Sequence, residues 1–501
     1  MKKIILSFCS LLVLYACIED RTNESLVPLN EIIIGGVDDE YLHVSVDQIF
    51  RVSPTIKISQ GSSDELTYLW ITYTSNSRLT ADTLSKEKDL AVPIRLTPGK
   101  HTLKLKVTDE RTGVFYEKES TIHVVNEFTA GVLILAEVDG HARLDFLKST
   151  GGDVVTDVYG KMNKGDLLGK NPRKVVFNKF RTDLLSEVLV MCDDEMGGKV
   201  LDNITLVRRK NYRELFFASA PDGIMKPQTY YSSSMRGYLI DNGRVYDRAV
   251  NTNPPAATVK PSMIAESTEY EISANADFGD NEKLPSRMVL YDNLNGCFYS
   301  LHGISSVSLS KVGKTSGFSY INGGFFNPNE LKMKCLYAGI TSRSESGVRE
   351  YLGVFEDAQG KRRLLSMRIG FFTSENPASF FQDLGNTPMQ SPGITEATSF
   401  ATSAQLPGYL FYAVGGKLYL YNAINHLGHE VYDLGNGYLV DHIEADRGTK
   451  CLWVAFRNTD LTETQAGFCG LKVSTDGGLS LEQTIRQEGL ADRIVDFERK
   501  Y

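Results

Sequence analysis

The sequence predicts an all-β chain, an N-terminal β-sandwich followed by a β-propeller-like repeat region. Three observations carry this. His101, Leu103, Leu105 and Val107 alternate with Thr102, Lys104, Lys106 and Thr108, the period of two expected of a strand with one buried and one wetted face. Several short strand-like segments crowd around one tryptophan, Trp70. From Phe128 onward an apolar strand, a turn rich in Gly, Asp or Asn, and a second strand recur as a hairpin unit.

Taken in order, Lys2 and Lys3 precede an apolar run from Ile4 to Ala16, which ends in a small residue before Cys17. The run is too short to span a bilayer and reads as a secretory leader. Leu14-Tyr15-Ala16-Cys17 resembles the lipobox of bacterial lipoproteins. That resemblance implies a signal peptide over 1–16, cleavage before Cys17, lipid attachment at Cys17, and a lipidated polar tether over 17–28. At about 0.8 kcal/mol per buried methylene, two or three acyl chains anchor a protein durably. The acidic Glu19 and Asp20 after Ile18 resemble the surface-export signal of lipoproteins displayed by certain Gram-negative gut bacteria. The implied location is therefore the outer membrane, lipid-anchored and exposed at the cell surface. No later apolar run reaches spanning length.

Residues 29–126 are expected to form the sandwich. Strands fit Glu31 to Val37, Thr55 to Ser59, Leu66 to Tyr73, the alternating segment from His101, and Val114 to Val125, with Pro98-Gly99 and Asp109 to Gly113 as turns. Tyr68-Leu69-Trp70, with Pro98-Gly99-Lys100-His101-Thr102-Leu103-Lys104-Leu105-Lys106-Val107-Thr108-Asp109, resembles the core of a PKD-type Ig-like domain. Ile71-Thr72-Tyr73 replaces the usual aspartate and glycine turn, which places the segment near the divergent PKD-like family of surface lipoproteins. Such domains are mainly spacers and interaction modules, so the resemblance transfers no catalytic residue.

Residues 127–501 carry the repeat. The clearest copies run over 408–423, 236–249 and 287–301; weaker ones over 131–147, 187–206, 334–341 with 349–367, and 450–456 with 466–481. Their starts fall roughly 50 residues apart, a blade-sized period, with one wider gap before 408. Unbroken apolar runs such as Leu410 to Val414 and Leu452 to Phe456 are expected near the axis, flanked on both faces by other blades. Six to eight blades fit the length, and Ile494 to Phe497 is placed to supply a late strand to the first blade. The competing architecture is one large β-sandwich or two stacked ones.

Composition narrows the partners. The formal charge is -8, and about -10 once Lys2 and Lys3 leave with the leader, so nucleic acid is not expected. The densest basic spots, Arg208-Arg209-Lys210 and Lys361-Arg362-Arg363, read as turn or edge-strand charges. Beyond Cys9 and Cys17 the cysteines are Cys192, Cys297, Cys335, Cys451 and Cys469, an odd set with no CxxC pair. They read as small buried hydrophobes, with a Cys451 to Cys469 bridge left open.

Catalytic signatures are sparse. No GxSxG, HExxH, Walker or dinucleotide motif is present, so no cofactor and no metal are assigned. His426, His429 and Glu430 read as a solvated turn, because Gly428 argues against a helical pair of ligands. Asp193-Asp194-Glu195 and Asp277, Asp280, Glu282 are acidic turns without the regular ligand spacing of a calcium loop. Asp441, His442, Glu444 and Asp446 are acid and base candidates for a propeller mouth. Tyr230, Tyr231, Phe325 and Phe326 are placed in loops, where rings can stack on sugars.

The leading expectation is a non-catalytic binding or accessory module for an extracellular polymer, glycan or protein. The resemblance implies association with a TonB-dependent transporter of the SusC type and its SusD-like partner. A propeller glycoside hydrolase or lyase is the alternative, and a structural envelope spacer is the third reading.

Overall fold

The computed structural model describes residues 30–45, 49–74, 81–96, 98–125, 128–149, 152–179, 186–232, 236–249, 259–261, 263–264, 269–278, 288–302, 308–314, 317–344, 347–371, 379–446, 448–462, 464–474 and 479–500. The leader, Cys17 and the tether lie outside these, as do Asp280 and Glu282. Two compact units divide the chain, Met1–Val125 and Asn126–Tyr501. No helix among the described residues is long and apolar enough to cross a membrane.

The first unit is built on a five-stranded sheet with spatial order Glu40–Ser45, Phe115–Val125, Gly99–Asp109, Leu66–Thr74, Asp82–Ser85. Two short pairs, Ile32–Gly35 with Thr55–Ile58 and Ile49–Val52 with Leu90–Pro93, complete it. The alternation in sequence is reproduced in space. Leu103, Leu105 and Val107 are fully buried around Trp70, while Thr102, Lys104 and Lys106 face outward. The Trp70 indole N–H, removed from water, donates to the carbonyls of Glu87 and Lys88 at 3.1 and 3.2 Å.

The second unit is a seven-bladed propeller among the described residues. Blades 2, 3, 6 and 7 are four-stranded antiparallel meanders, read from the axis outward. They run Pro172–Asn178 to Arg208–Asn211, Pro227–Ser232 to Val259–Pro261, Ser399–Thr402 to Leu427–Asp433, and Tyr438–Ala445 to Ser480–Ala491. In blade 4 the innermost segment, around Ile272 and Ser273, bridges Met288–Asp292. Blade 5 starts at Lys334–Arg343 and gains a fifth, outer strand, Phe318–Ile321, parallel to Ser379–Pro388. The copy that starts at 334 opens on this innermost strand, Lys334–Arg343, one strand earlier than the other copies, and with the long strands of blade 5 that accounts for the wider gap in the repeat before 408.

Blade 1 closes the ring. Its two middle strands, Gly131–Val138 and His141–Lys148, come from the start of the unit, whereas its innermost strand is the C-terminal Arg493–Lys500, antiparallel to Gly131–Val138. Each junction between neighbouring blades holds its own apolar cluster, and the last joins Trp453, Ala455 and Phe468 of blade 7 to Val132, Ile134 and Phe497 of blade 1. A single hairpin buries one face; stacked in a ring, every blade buries two.

Two expectations are corrected. Leu410 to Val414 and Leu452 to Phe456 lie in second strands rather than innermost ones. Second strands have sheet on both edges and blades on both faces, so they are the apolar runs. The innermost strands border the axis and mix in polar residues, as in Pro172–Asn178 and Tyr438–Ala445. Tyr230 and Tyr231 are not in a loop; they lie on the innermost strand of blade 3, 1% and 4% exposed. Cys192, Cys297, Cys335, Cys451 and Cys469 are free thiols. The register sets Cys469 opposite Val454 and Cys451 opposite Lys472, so the two do not meet.

Candidate functional site

The innermost strands enclose an axial channel of about 280 Å³. Every blade contributes a wall residue, Glu498, Lys174, Tyr231, Asp277, Tyr337, Thr402 and Glu444 for blades 1 to 7 in turn. Hydrogen bonds stitch adjacent walls together. The Tyr231 hydroxyl donates to the Ala276 carbonyl at 2.9 Å, the Thr402 N–H donates to the Tyr337 hydroxyl at 2.8 Å, and the Ile443 N–H donates to the Ser399 hydroxyl at 3.0 Å. Burial pushes the Tyr337 phenol up to about 12, so it stays a neutral hydrogen-bonding group.

On the wall of blade 7, His442 stands between two carboxylates. Its Nε2 is 3.4 Å from Glu444 Oε2 and 3.5 Å from Asp496 Oδ1 of the closing strand. The His442 ring lies nearly parallel to Phe497, centroids 6.4 Å apart. Asp496 is almost fully buried, and its Oδ2 accepts the Val175 N–H at 2.9 Å.

Bulges in both strands set this arrangement. Val440 pairs with Phe456 and His442 with Ala455, leaving Asp441 as an extra residue; Leu135 pairs with Asp496 and Ala136 with Ile494, leaving Val495 extra. An extra residue reverses the alternation. Val440 and Ile443 therefore share the face packed on blade 6, while Ile494 and Phe497 share the face packed on blade 7.

The electrostatics follow from this enclosure. Burial disfavours the imidazolium, but the hydrogen bonds it donates to Asp496 and Glu444 outweigh burial and raise His442 to about 9. Its side chain is 31% accessible and borders the channel ringed by inner strands. Burial works against the Asp496 carboxylate too, yet the Lys174 charge and His442 hold it below the usual carboxylate range.

The four blade-7 candidates part company. His442 and Glu444 reach the channel. Asp441 is bound to Arg457 Nε at 2.8 Å, and Asp446 caps its own turn through the N–H groups of Gly448 and Thr449 and holds Arg499 at 2.8 Å. Asp496 was not singled out by the sequence, where it is the one acid within the short apolar run Ile494 to Phe497. Asp277 lines the channel. Asp193 is taken by Arg173 at 2.7 Å, and Asp194 accepts from the N–H groups of Lys170, Met196 and Gly197. His426 sits in a left-handed turn and Glu430 binds Lys417 at 2.8 Å. Phe325 is 54% exposed in a turn, whereas Phe326 packs against the core of blades 4 and 5.

Comparison with known proteins gives a family match over part of the chain. The PKD-like family matches residues 17–172, a span that passes beyond the first unit and through His141–Lys148 of blade 1. No curated protein sequence matches the chain. Among solved structures, it is similar to a quinoprotein alcohol dehydrogenase-like protein from Bacteroides thetaiotaomicron, at 11% identity over 94% of this chain and 99% of that one, TM-score 0.39. A chain of the mitotic checkpoint complex aligns at 11% identity over 74% of this chain and 85% of that one, TM-score 0.33. PorZ, a surface component of the type-IX secretion system of Porphyromonas gingivalis, aligns at 11% identity over 77% of this chain and 58% of that one, TM-score 0.24.

Proposed function

We propose that the protein is a lipid-anchored lipoprotein of the bacterial outer membrane, displayed at the cell surface through Cys17, in which the propeller binds an extracellular polymer without cleaving it. The axial channel carries this reading. Its volume of about 280 Å³ suits one polar residue of a chain, such as a sugar ring, and its wall offers Lys174, Asp277, His442, Glu444 and Glu498 beside tyrosine rings. Charged groups that converge on one enclosed space orient a ligand by hydrogen bonds, while the rings supply area. The PKD-like unit serves as spacer, and the partner in uptake is a TonB-dependent transporter of the SusC type with its SusD-like companion.

Catalysis by a carboxylate pair is the weaker reading. A glycosidase acid needs a carboxyl kept protonated near neutrality, whereas Asp496 is held ionised by Lys174 and His442. The test is a thermal-shift screen of the soluble chain from Leu26 against purified glycans and peptides. A ligand at a hundredfold its Kd adds about 2.7 kcal/mol. Stabilisation by a glycan recovered intact, and lost in Lys174→Ala or Glu444→Gln, supports the proposal; recovery of a cleaved glycan replaces it with the enzyme, and no shift across the panel overturns glycan binding. Metabolic labelling with a fatty acid, abolished by Cys17→Ala, checks the anchor.

A further inference from the structure

We infer that His442, Glu444 and Asp496 form a binding site for a divalent transition-metal ion of the zinc class on the wall of the axial channel. The donors are one imidazole nitrogen and two carboxylate oxygens, a set that suits zinc and its neighbours. All three donor atoms lie within 4.8 Å of one another.

The spacing fits ligands gathered round an ion. Ligands about 2.0–2.1 Å from a tetrahedral ion stand about 3.4 Å apart, and the His442 contacts measure 3.4 and 3.5 Å. Charge-assisted hydrogen bonds are shorter. Elsewhere in this chain they close to 2.7 Å in Arg143–Asp145 and 2.8 Å in Lys417–Glu430 and Arg457–Asp441, while the looser pairs Arg362–Glu356 and Lys417–Asp433 stand at 3.4 Å. Both carboxylate oxygens thus stand from the imidazole nitrogen at the distance of ligands round a shared centre.

The surroundings hold the donors in place and leave a way in. The Val175 N–H on Asp496 Oδ2 fixes that carboxylate with Oδ1 toward His442, and Phe497 backs the imidazole ring. His442 and Glu444 border the channel, whose volume admits a water as the remaining ligand. Lys174 faces Asp496 from blade 2 and opposes a cation; Glu498 on the closing strand and Asp277 on blade 4 also line the channel and favour one. Binding displaces the imidazole proton, so acid competes with the metal.

The experiment uses the full mature chain, stripped with a chelator and titrated at pH 7.5 with cobalt(II), read by its visible ligand-field absorption, and with zinc against a chromophoric chelator. One equivalent is expected, with affinity falling about tenfold per pH unit between pH 8 and 6 as one proton is displaced. His442→Gln removes the cobalt spectrum. Glu444→Gln, a near-isosteric change at a ligand that borders the channel, weakens zinc at least about tenfold and serves as the deciding variant where His442→Gln fails to keep the near-ultraviolet circular dichroism of the parent. Absence of stoichiometric binding by the parent chain, or one-equivalent binding unchanged in Glu444→Gln, overturns the site. Neither result depends on a glycan being found, so this inference and the binding function fail separately.

Discussion

His442, on the first strand of blade 7, and Asp496, on the strand that closes blade 1, bring Nε2 and Oδ1 to 3.5 Å across the seam of the ring. The contact exists only when the C-terminal strand is seated, because Asp496 arrives on Arg493–Lys500 and is fixed there by the Val175 N–H of blade 2. Three blades therefore meet at one carboxylate, and closing the ring also assembles the site.

Seating that strand is expected to dominate the stability of the second unit. Phe497 is 1% exposed in the cluster that joins blades 7 and 1. Phe497→Ala should cost about 3–5 kcal/mol, seen as a lowered denaturation midpoint. Deleting residues 493–501 should abolish the cooperative transition of this unit. A truncated chain that unfolds like the parent would show that closure contributes little.

The His442 cluster makes stability fall in mild alkali. The group is raised in the folded state, so its contribution is complete below the unfolded value near 6.5 and is lost as pH rises through about 9. Asp496 acts in the opposite sense, its contribution being present above the usual carboxylate range and lost in acid. Discounted for channel water, the alkaline loss should be about 1–2 kcal/mol between pH 6.5 and 10. Urea midpoints at the two pH values should converge in His442→Gln relative to the parent.

A buried ion pair ties blades 2 and 3. Arg248 and Glu187 are 1% and 2% exposed, with Nη1 to Oε1 at 2.5 Å and Nη2 to Oε2 at 3.3 Å. Glu187→Gln strands a guanidinium away from water and should cost about 3–5 kcal/mol. The double replacement Glu187→Leu with Arg248→Met removes both charges and should recover part of that loss. Equal destabilisation by the single and double variants would contradict this account.

Trp70 gives a local probe of the first unit. The chain has two tryptophans, so Trp453→Phe leaves Trp70 as the sole indole reporter. In that background, loss of the buried Trp70 signal should track unfolding of the first unit's sheet. Trp70→Phe leaves the Glu87 and Lys88 carbonyls without their donor and should destabilise the unit by about 1–3 kcal/mol, measured by far-ultraviolet circular dichroism.

Seven hairpin copies stand out in the sequence; six are the pair of middle strands of one blade, and the copy over 334–341 with 349–367 takes in the innermost strand of blade 5, Lys334–Arg343, ahead of its two middle strands. They are legible because a middle strand has neighbours on both edges and both faces, which demands apolar runs such as Leu410 to Val414 and Leu452 to Phe456. Apart from Lys334–Arg343 and Arg493–Lys500, the innermost strands escape notice for the converse reason. Ser399–Thr402 and Tyr438–Ala445 face the channel and carry Ser, Thr, His and Glu among their apolar residues, so no period marks them. The same ambiguity puts Tyr230 and Tyr231 in a loop when read from sequence alone.

By itself the sequence determined the all-β class, the alternating strand around Trp70 and the blade-sized repeat, because those follow from local burial patterns of neighbouring residues. The late strand at Ile494 to Phe497, legible in the sequence, does pair with the first blade; only the tertiary structure decided the blade number, the innermost place of that strand and the channel site. Asp496 meets His442 through a ring closed by strands from opposite ends of the unit, and the bulges at Asp441 and Val495 reverse the phase of alternation just where the site forms. An extra residue in a strand shows itself only against the partner strand it fails to match, and that partner is assigned by the fold.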